Sequence, residues 1–308
     1  MQVGQVKMPK KELLWSQIQY KYAFSQPVDF ISPDTSKTDF SSEQIFASLY
    51  KKYNASRSND KKNDTINNDL PFIWSPLGCP PSLSSAIIIP YRKREQHLRM
   101  ITDHLHGFLR HQRIPYTIFV IEQTGEKKFN RGALLNAGFL EVVKFKEYDC
   151  FILHDVDKLP EDDRIQYTCG ANPVHLSPSL STFDYKLLYQ RFYGGVVTFT
   201  RDQYFKINGF SNVFEGWGGE DDDLLVRVEQ SGYNLARIDV QIGRYYALGH
   251  SEDKLNERNP DRFQLLKTSG SRFKSDGLNS LKYNVNQSKS MYDGLLYWIS
   301  IDIPPNKQ

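Results

Sequence analysis

Four consecutive acidic residues follow a tryptophan set among glycines in the sequence GWGGEDDD of Gly216–Asp223. One carboxylate of this run is a candidate general base, and Trp217 can stack on the apolar face of a sugar while the glycines let the loop move. The apolar positions from Leu224 to Val228 predict a helix whose first turn carries the acids. Because a helix dipole favours negative charge at that end, helix formation alone also explains some of them.

A second candidate site is the sequence DVD of Asp155–Asp157, which directly follows an apolar run. In an extended chain the two aspartates point to the same side, and such carboxylates repel each other unless a cation or a proton lies between them. Mg²⁺ and Mn²⁺ suit this arrangement and leave positions open for phosphate oxygens. His250 follows the strand-like run Arg244–Leu248, and an imidazole ligand beside carboxylates favours Mn²⁺. A solvated turn and a structural histidine are the alternatives.

The third candidate site is the basic segment PYRKR of Pro90–Arg94. Two arginines within three residues can neutralise a phosphate or pair with a nucleotide. An ordinary basic loop has the same composition, so the segment gains meaning only from its position after a predicted strand.

The elements that must position these residues alternate between strand and helix from Ser84 onward. Short apolar, β-branched runs predict buried strands, and the longer periodic stretches between them predict helices. The predicted strands are Ala86–Pro90, Tyr116–Ile121 and Cys150–Leu153, and the predicted helices are Glu95–His111 and Arg131–Lys144. This order indicates an α/β domain with a mostly parallel sheet, in which ligands bind at the carboxyl ends of the strands.

The chain of 308 residues divides at about residue 83. We expect residues 1–83 to be an N-terminal extension with a polar linker around residues 54–69, and residues 84–308 to be the catalytic domain. The 39 basic and 36 acidic residues leave a net charge of +3, which is too balanced to predict nucleic-acid binding. Since no apolar run approaches the roughly 18 residues of a membrane span, we expect no membrane anchor within this sequence.

Six motifs occur in a fixed order along the chain. They are FNRGALLNAGF (Phe129–Phe139), DVD (Asp155–Asp157), YGGV (Tyr193–Val196), INGF (Ile207–Phe210), GWGGEDDD (Gly216–Asp223) and SDGLNSL (Ser275–Leu281). Together they closely resemble the β-1,4-galactosyltransferase family, although GWGGEDDD alone is also found in related chondroitin-type transferases. The resemblance runs from about Ala86 to Ile303, and residues 1–80 match none of these motifs.

The resemblance implies a GT-A type nucleotide-diphospho-sugar transferase fold with a mixed, mostly parallel central sheet. It implies an inverting transfer of galactose from UDP-galactose to the 4-hydroxyl of a terminal N-acetylglucosamine on a glycan, dependent on Mn²⁺. Family members are usually anchored in the Golgi by an N-terminal span, so the resemblance also implies a location in the Golgi lumen.

Site residues follow from the resemblance by position. Asp221 resembles the general base, with Glu220 beside it, and Trp217 resembles the tryptophan of a mobile loop. Asp157 and His250 resemble the metal ligands. The implied donor contacts are Pro90, Tyr91, Arg92, Arg94, Phe129, Arg131, Val156, Asp157 and Trp217. The implied acceptor contacts are Gly219, Glu220, Asp221, Asp222, Arg262 and Phe263.

Two further features concern the surroundings of the site. The resemblance implies a disulfide between Cys150 and Cys169, which flank the DVD turn, and Cys79 is then left over. The polar segment from about residue 248 to residue 267 predicts a lid that orders when donor and metal bind. A plain surface loop has the same polarity.

Two positions depart from the family pattern. Ala247 stands where the family commonly has a methionine metal ligand, and alanine cannot coordinate a metal. Phe192 stands where many members have a donor-selecting tyrosine, so that hydroxyl is missing. The first departure keeps open a catalytically silent sugar-binding homologue, and the second a β-1,4-N-acetylgalactosaminyltransferase. An active galactosyltransferase is the leading hypothesis because Asp157, His250 and Asp221 are intact.

Overall fold

A mixed eight-stranded sheet forms the centre of the fold in the computed structural model, which describes residues 71, 73–76, 83–249, 256–291 and 296–304. The strands are β1 (Ser85–Tyr91), β2 (Tyr116–Gln123), β3 (Cys150–His154), β4 (Lys158–Pro160), β5 (Val174–His175), β6 (Ser179–Leu180), β7 (Val196–Phe199), β8 (Ala236–Arg237), β9 (Arg244–Ala247), β10 (Asn284–Met291) and β11 (Leu296–Asp302). The order in the sheet is β10-β11-β2-β1-β3-β7-β5-β8. Strands β11, β2, β1 and β3 are parallel, whereas β7 and β10 pair antiparallel, so the expected mixed sheet is confirmed.

Six α-helices accompany this sheet in the described residues. They are α1 (Glu95–Gln112), α2 (Arg131–Val142), α3 (Arg201–Lys206), α4 (Glu220–Gln230), α5 (Arg262–Lys267) and α6 (Ser269–Arg272). The first turns of two of them, α2 and α4, carry site residues. Helix α2 ends two residues before the predicted boundary because the chain leaves it through tight turns, in which the backbone N–H of Lys144 donates to the carbonyl of Glu141. The predicted helix after the acidic run is confirmed as α4, and Gly219 at its N-cap has a φ of +97° that suits glycine.

Side chains of β1 alternate between two hydrophobic cores, one on each face of the sheet. Ile88 belongs to the core that includes α2, and Ile87 belongs to the core that includes α1. Because both faces are buried, the strand is apolar at every position rather than at every second one. The register pairs Ile88 with Leu153, so the segments that follow β1 and β3 leave the sheet side by side.

A disulfide and a small second sheet hold the chain around the DVD turn. Cys150 and Cys169 are bonded, with a Cα–Cα distance of 5.3 Å, which confirms the implied pair. Strands β4, β9 and β6 form a three-stranded sheet just beyond the turn. Cys79 lies outside the described residues. In the part of the chain that the structure describes, no helix has the length and apolar character to cross a membrane.

Candidate active site

A cavity opens at the carboxyl ends of β1 and β3, next to the first turns of α2 and α4. Ten residues that the resemblance assigns to the site line it: Pro90, Arg92, Arg94, Phe129, Arg131, Val156, Asp157, Trp217, Glu220 and Asp221. The lining also includes His97, Asp155, Lys158, Gly216 and Asn256. Basic and acidic side chains therefore line the same cavity. The basic ones can bind an anionic group of a ligand, and a carboxylate beside them can accept a proton.

The other predicted site residues that the structure describes are not part of the cavity lining. Tyr91 is buried, and its ring packs edge-on against Trp298 with centroids 5.0 Å apart. Gly219, Asp222, Arg262 and Phe263 lie at or beyond the start of α4. His250 lies outside the described residues, as does the part of the predicted lid from residue 250 to residue 255.

Arg131 joins the two sides of the cavity. Its Nε lies 2.7 Å from Oδ1 of Asp155, which follows β3, and its Nη1 lies 2.8 Å from Oδ1 of Asp221 at the start of α4. The same Nη1 is 3.8 Å from Oε1 of Glu220. These four residues, Arg131, Asp155, Glu220 and Asp221, are here called the cavity cluster. One guanidinium thus faces three carboxylates.

The charge imbalance of the cavity cluster shifts its titration. Burial raises the pKa of the Asp221 carboxyl well above its usual range; Arg131 opposes this shift, and Glu220 and Asp155 add to it. Burial also raises the pKa of Glu220. For Arg131, burial lowers the pKa, but the carboxylates more than reverse that effect, so the guanidinium stays protonated. Asp221 is thus a carboxylate that can accept a proton closer to neutral pH than an ordinary aspartate can.

Two polar atoms of the cavity cluster are buried without a hydrogen-bond partner among the described residues. They are Nη2 of Arg131 and Oε2 of Glu220. A buried donor or acceptor left unpaired is costly, and such groups in a native cavity indicate a place where a ligand supplies the partner. Both residues line the cavity, so these atoms mark it as a candidate binding site.

Gly194 makes room for the carboxylate of Asp221. A Cβ added at Gly194 would lie 2.6 Å from Oδ2 of Asp221 and 2.9 Å from Cε2 of Phe192. A methyl group therefore cannot fit between these two side chains without moving one of them. The glycine is part of the YGGV motif, but the sequence alone gives no reason why this position must be small.

Trp217 is held in a short bridge to the segment at residues 257–259. Its backbone N–H donates to the carbonyl of Glu257, and its carbonyl accepts from the N–H of Asn259, both at 2.9 Å. The guanidinium of Arg258 lies 5.1 Å above the indole ring, whose residue is 54% exposed. An exposed aromatic face at the rim of a polar cavity is suited to stacking on a sugar ring.

Among the predicted acceptor contacts, Arg262 packs against the glycine turn that precedes α4. Its Cβ would lie 3.2 Å from a Cβ added at Gly219, and its own guanidinium lies 4.2 Å above the ring of Phe263, an exposed aromatic residue. The phenol of Tyr189 donates to Oδ1 of Asp222 at 2.7 Å. These groups form a polar and aromatic margin beside the carboxylate of Asp221.

The last acid of the GWGGEDDD run has a different environment. Asp223 is fully buried, and its carboxylate lies 2.5 Å from Nε of Arg227 and 3.2 Å from Nη2 of Arg272. Asp276 also contacts both arginines, and its carboxylate accepts from the hydroxyl of Ser211. We call Asp223, Arg227, Arg272 and Asp276 the buried cluster. It holds the SDGLNSL motif against α4 and does not line the cavity.

Asp157 is the predicted metal ligand that lines the cavity. Its Oδ2 lies 2.8 Å from Nζ of Lys158, and its carbonyl accepts from the backbone N–H of Leu248 at 2.8 Å. Ala247 is buried and offers no ligand atom, and the other expected ligand, His250, is not among the described residues. Within residues 83–249 and the other described ranges, no three His, Cys, Asp or Glu side chains are grouped to hold a metal ion. Of the two predicted metal ligands, the described residues therefore include only Asp157.

Phe192, the departure at the donor-selecting position, lies behind Gly194. Its ring packs edge-on against His175, with centroids 5.2 Å apart, and near Tyr189. His175 is buried, and desolvation lowers its pKa to about 3, so it stays neutral. The aromatic ring thus forms part of the wall behind the Asp221 carboxylate.

Sequence reasoning missed Lys158 as a cavity residue. Its position directly after Asp157 was visible, but the sequence does not show that β4 turns this side chain into the cavity opposite Ala247 of β9. His97 and Asn256 were also missed, because nothing in their local sequence distinguishes them from other polar residues.

Two family models match consecutive parts of the chain. The N-terminal region of glycosyl transferase group 7 matches residues 40–170, and the N-terminal domain of galactosyltransferase matches residues 174–251. The first match begins upstream of Ala86, so similarity to the family begins earlier than the motifs indicate.

Similar full-length proteins are galactosyltransferases by name. β-1,4-Galactosyltransferase 4 of Cricetulus griseus is 46% identical over 212 residues, which cover 69% of this chain and 62% of that protein. β-1,4-Galactosyltransferase 3 of Homo sapiens is 46% identical over 213 residues, which cover 69% of this chain and 54% of that protein. The chain thus spans between about half and about three-fifths of the length of these relatives.

Solved structures of a Drosophila enzyme share the fold. The catalytic domain of Drosophila β-1,4-galactosyltransferase 7 with xylobiose has a TM-score of 0.64 and 26% identity, covering 73% of this chain and 95% of that one. A variant of it in complex with manganese, UDP-Gal and xylobiose has a TM-score of 0.61 and 27% identity. The mixed α/β sheet is therefore of the GT-A type. With the ordered motifs and both family matches, this similarity shows that the chain belongs to the β-1,4-galactosyltransferase family.

Proposed function

We propose that this chain transfers galactose from UDP-galactose to the 4-hydroxyl of a terminal N-acetylglucosamine on a glycan, with inversion. The observation that supports this most is Arg131, whose guanidinium lies between Asp155 on the donor side and Asp221 on the acceptor side. Sugar transfer needs an anion-binding group and a proton acceptor within the span of one sugar. The cavity provides both, since Arg92 and Arg94 line it as candidate anion-binding groups and Asp221 is the candidate proton acceptor.

In the proposed reaction, Asp221 accepts the proton of the acceptor 4-hydroxyl while that oxygen attacks C1 of galactose. The bond from C1 to the diphosphate oxygen breaks on the opposite face, so the configuration at C1 inverts and the electron pair leaves with UDP. Arg92 and Arg94 line the cavity and are proposed to neutralise the diphosphate. Arg131 holds the carboxylate of Asp221 in place through its bond from Nη1, and Trp217 is proposed to cover the donor.

A divalent metal is part of the proposal. Asp157 and His250 would hold Mn²⁺, which when bound would stabilise the negative charge on the leaving diphosphate. The structure of the Drosophila relative contains manganese together with UDP-Gal. The disulfide between Cys150 and Cys169 suits an oxidising compartment, and we propose the Golgi lumen as the place of action.

A donor-and-acceptor assay tests the proposed function. Purified protein is incubated with UDP-galactose or UDP-N-acetylgalactosamine, an N-acetylglucosamine-terminated oligosaccharide, and either Mn²⁺ or a chelator, and the linkage of the product is read by NMR. We expect a β-1,4-linked galactose product. Retained UDP binding with no product from either donor would contradict an active transferase and favour the sugar-binding homologue.

A second candidate activity, transfer of N-acetylgalactosamine, is favoured by one observation. The ring of Phe192 lies close to the place that a Cβ at Gly194 would take, which in turn lies against Asp221, so residue 192 is near the acceptor carboxylate. Phenylalanine keeps the bulk of a tyrosine and lacks its hydroxyl, so we expect galactose to remain preferred by a reduced margin. A pocket change of this size alters the preference by about 1–3 kcal/mol.

The variant Phe192→Tyr measures that margin. We expect the ratio of kcat/KM for UDP-galactose over UDP-N-acetylgalactosamine to rise in the variant. If the unaltered protein already prefers UDP-N-acetylgalactosamine, the second activity replaces the first. An unchanged ratio in the variant would show that residue 192 does not select the donor.

A further inference from the structure

We propose that Lys158 is a built-in cation for the diphosphate of the donor, and that it lowers the dependence of UDP binding on a divalent metal in this chain. The proposal rests on the proposed function, because it assumes that the cavity binds UDP. It identifies a binding residue that neither the motifs nor the resemblance singled out.

The geometry places the Lys158 ammonium on the metal side of the cavity. Its Nζ lies 2.8 Å from Oδ2 of Asp157, its side chain is 13% exposed, and the residue lines the same cavity as Arg92 and Arg94. Strand β4 begins at Lys158, and the register of the small sheet pairs it with Ala247. Lys158 is therefore paired with Ala247, whose side chain has no ligand atom, and both lie beside Asp157, the expected metal ligand.

Charge explains what this arrangement can do. A bare carboxylate at Asp157 would repel an incoming diphosphate, and the ammonium cancels that repulsion. A lysine ammonium has three N–H donors, so Lys158 can bind Asp157 and still donate to a phosphate oxygen. A cation that is already in place serves the same electrostatic purpose as a metal ion would at this position.

The same arrangement weakens metal binding. An incoming Mn²⁺ must displace the ammonium from Asp157, and Ala247 offers no additional ligand to compensate for that cost. Lys158 therefore opposes the metal and replaces part of its function. We therefore expect UDP to bind measurably when a chelator has removed divalent metal. When the charge of Lys158 is removed, we expect UDP binding to depend more strongly on Mn²⁺.

Calorimetric titration of the full chain with UDP, with Mn²⁺ or with EDTA, tests the proposal. We expect Lys158→Met to weaken UDP binding in EDTA by about tenfold or more, the size of one lost charge-assisted hydrogen bond, and Lys158→Arg to weaken it far less. Lys146→Met is the matched control, because it removes the same charge from an exposed residue that precedes β3, at the end of that strand opposite to the cavity, and we expect less than a twofold change. A second titration with Mn²⁺ alone should show tighter metal binding in Lys158→Met than in the unaltered protein.

The outcomes separate the two proposals. If the unaltered protein binds UDP only with Mn²⁺, or if Lys158→Met binds it as tightly as before in EDTA, the role of Lys158 is overturned and the proposed function stands. If no UDP binds under either condition, the proposed function is overturned, and the inference with it. The melting temperature of each variant shows whether a loss of binding reflects loss of the fold: a loss in Lys158→Met at an unchanged melting temperature supports the role of Lys158, and a similar loss in Lys158→Arg contradicts it.

Discussion

The cavity cluster and the buried cluster both take residues from α4, and Asp221 and Asp223 lie within one turn of that helix. The two clusters differ in their ratio of arginines to carboxylates. In the cavity cluster one arginine serves three carboxylates, and the Asp221 side chain is 26% exposed. In the buried cluster two arginines serve two aspartates, and the side chains of Asp223 and Arg227 are fully buried. A cluster with equal numbers of positive and negative side chains can be fully buried and hold elements together. A cluster with excess carboxylates raises the pKa of a carboxyl group, which then accepts a proton more readily.

The largest expected effect separates the clusters by activity. Asp221→Asn removes the proposed proton acceptor and keeps nearly the same shape, so we expect kcat to fall by about 10²–10⁴-fold. UDP binding, measured by calorimetry, should stay within a few fold, because the arginines proposed to hold the diphosphate are unchanged. A variant that keeps more than a tenth of the activity would show that another group accepts the proton.

The next largest effect is on stability and concerns the buried cluster. Asp223→Asn leaves Arg227 and Arg272 with an uncompensated charge in the interior, so we expect a loss of about 3–5 kcal/mol in the free energy of unfolding. Glu229→Gln is the control, since it breaks the exposed pair with Arg191, and we expect a cost within about 1 kcal/mol. Urea denaturation measures both. Equal losses in the two variants would contradict a structural role for the buried cluster.

A smaller effect tests how tightly the cavity cluster is packed. Gly194→Ala places a methyl group against Asp221 and Phe192, and we expect about 1–3 kcal/mol of overpacking together with a lower kcat. Gly107→Ala is the matched control, because an added Cβ in α1 meets nothing within 4 Å and should stabilise the helix by up to about 1 kcal/mol. Equal activity in both variants would mean that the position of Asp221 is not critical.

The smallest expected effect is on how the melting temperature depends on pH. Because the folded state raises the pKa of Asp221, ionising this group costs stability at pH values above its unfolded pKa of about 3.9. We therefore expect Asp221→Asn to melt slightly above the unaltered protein at pH 7–8, with the gap closing as the pH falls toward 4. A gap that widens in acid would contradict the raised pKa.

Much of the fold could be predicted because its central strands are short and continuously apolar. The runs of β1 and β3 mark buried parallel strands, and the residues after them, Arg92 and Asp157, are where ligands of such sheets bind. The sequence could not show that β7 and β10 pair antiparallel, because pairing direction depends on connections that local residues do not record.

The site was harder to predict wherever it depends on contacts between distant residues. Arg131 reads as a donor contact, but its bond to Asp221 joins residues 90 positions apart. The four acids of GWGGEDDD look equivalent in the sequence, yet Asp223 is a structural residue. The spacing of Asp223 and Arg227, four residues apart on a helix, was a signal that could have separated it from the others.

The position of β11 within the central sheet has a consequence for biosynthesis. This last strand lies between β10 and β2, with Tyr297 paired to Phe119. On the ribosome, every described residue that lines the cavity, up to Asn256, is translated before β11 exists. Until then β2 presents an unpaired apolar edge, so we expect the nascent chain to need protection from aggregation while the residues of the cavity are already made. Folding of this domain is therefore completed only after translation has passed the last strand.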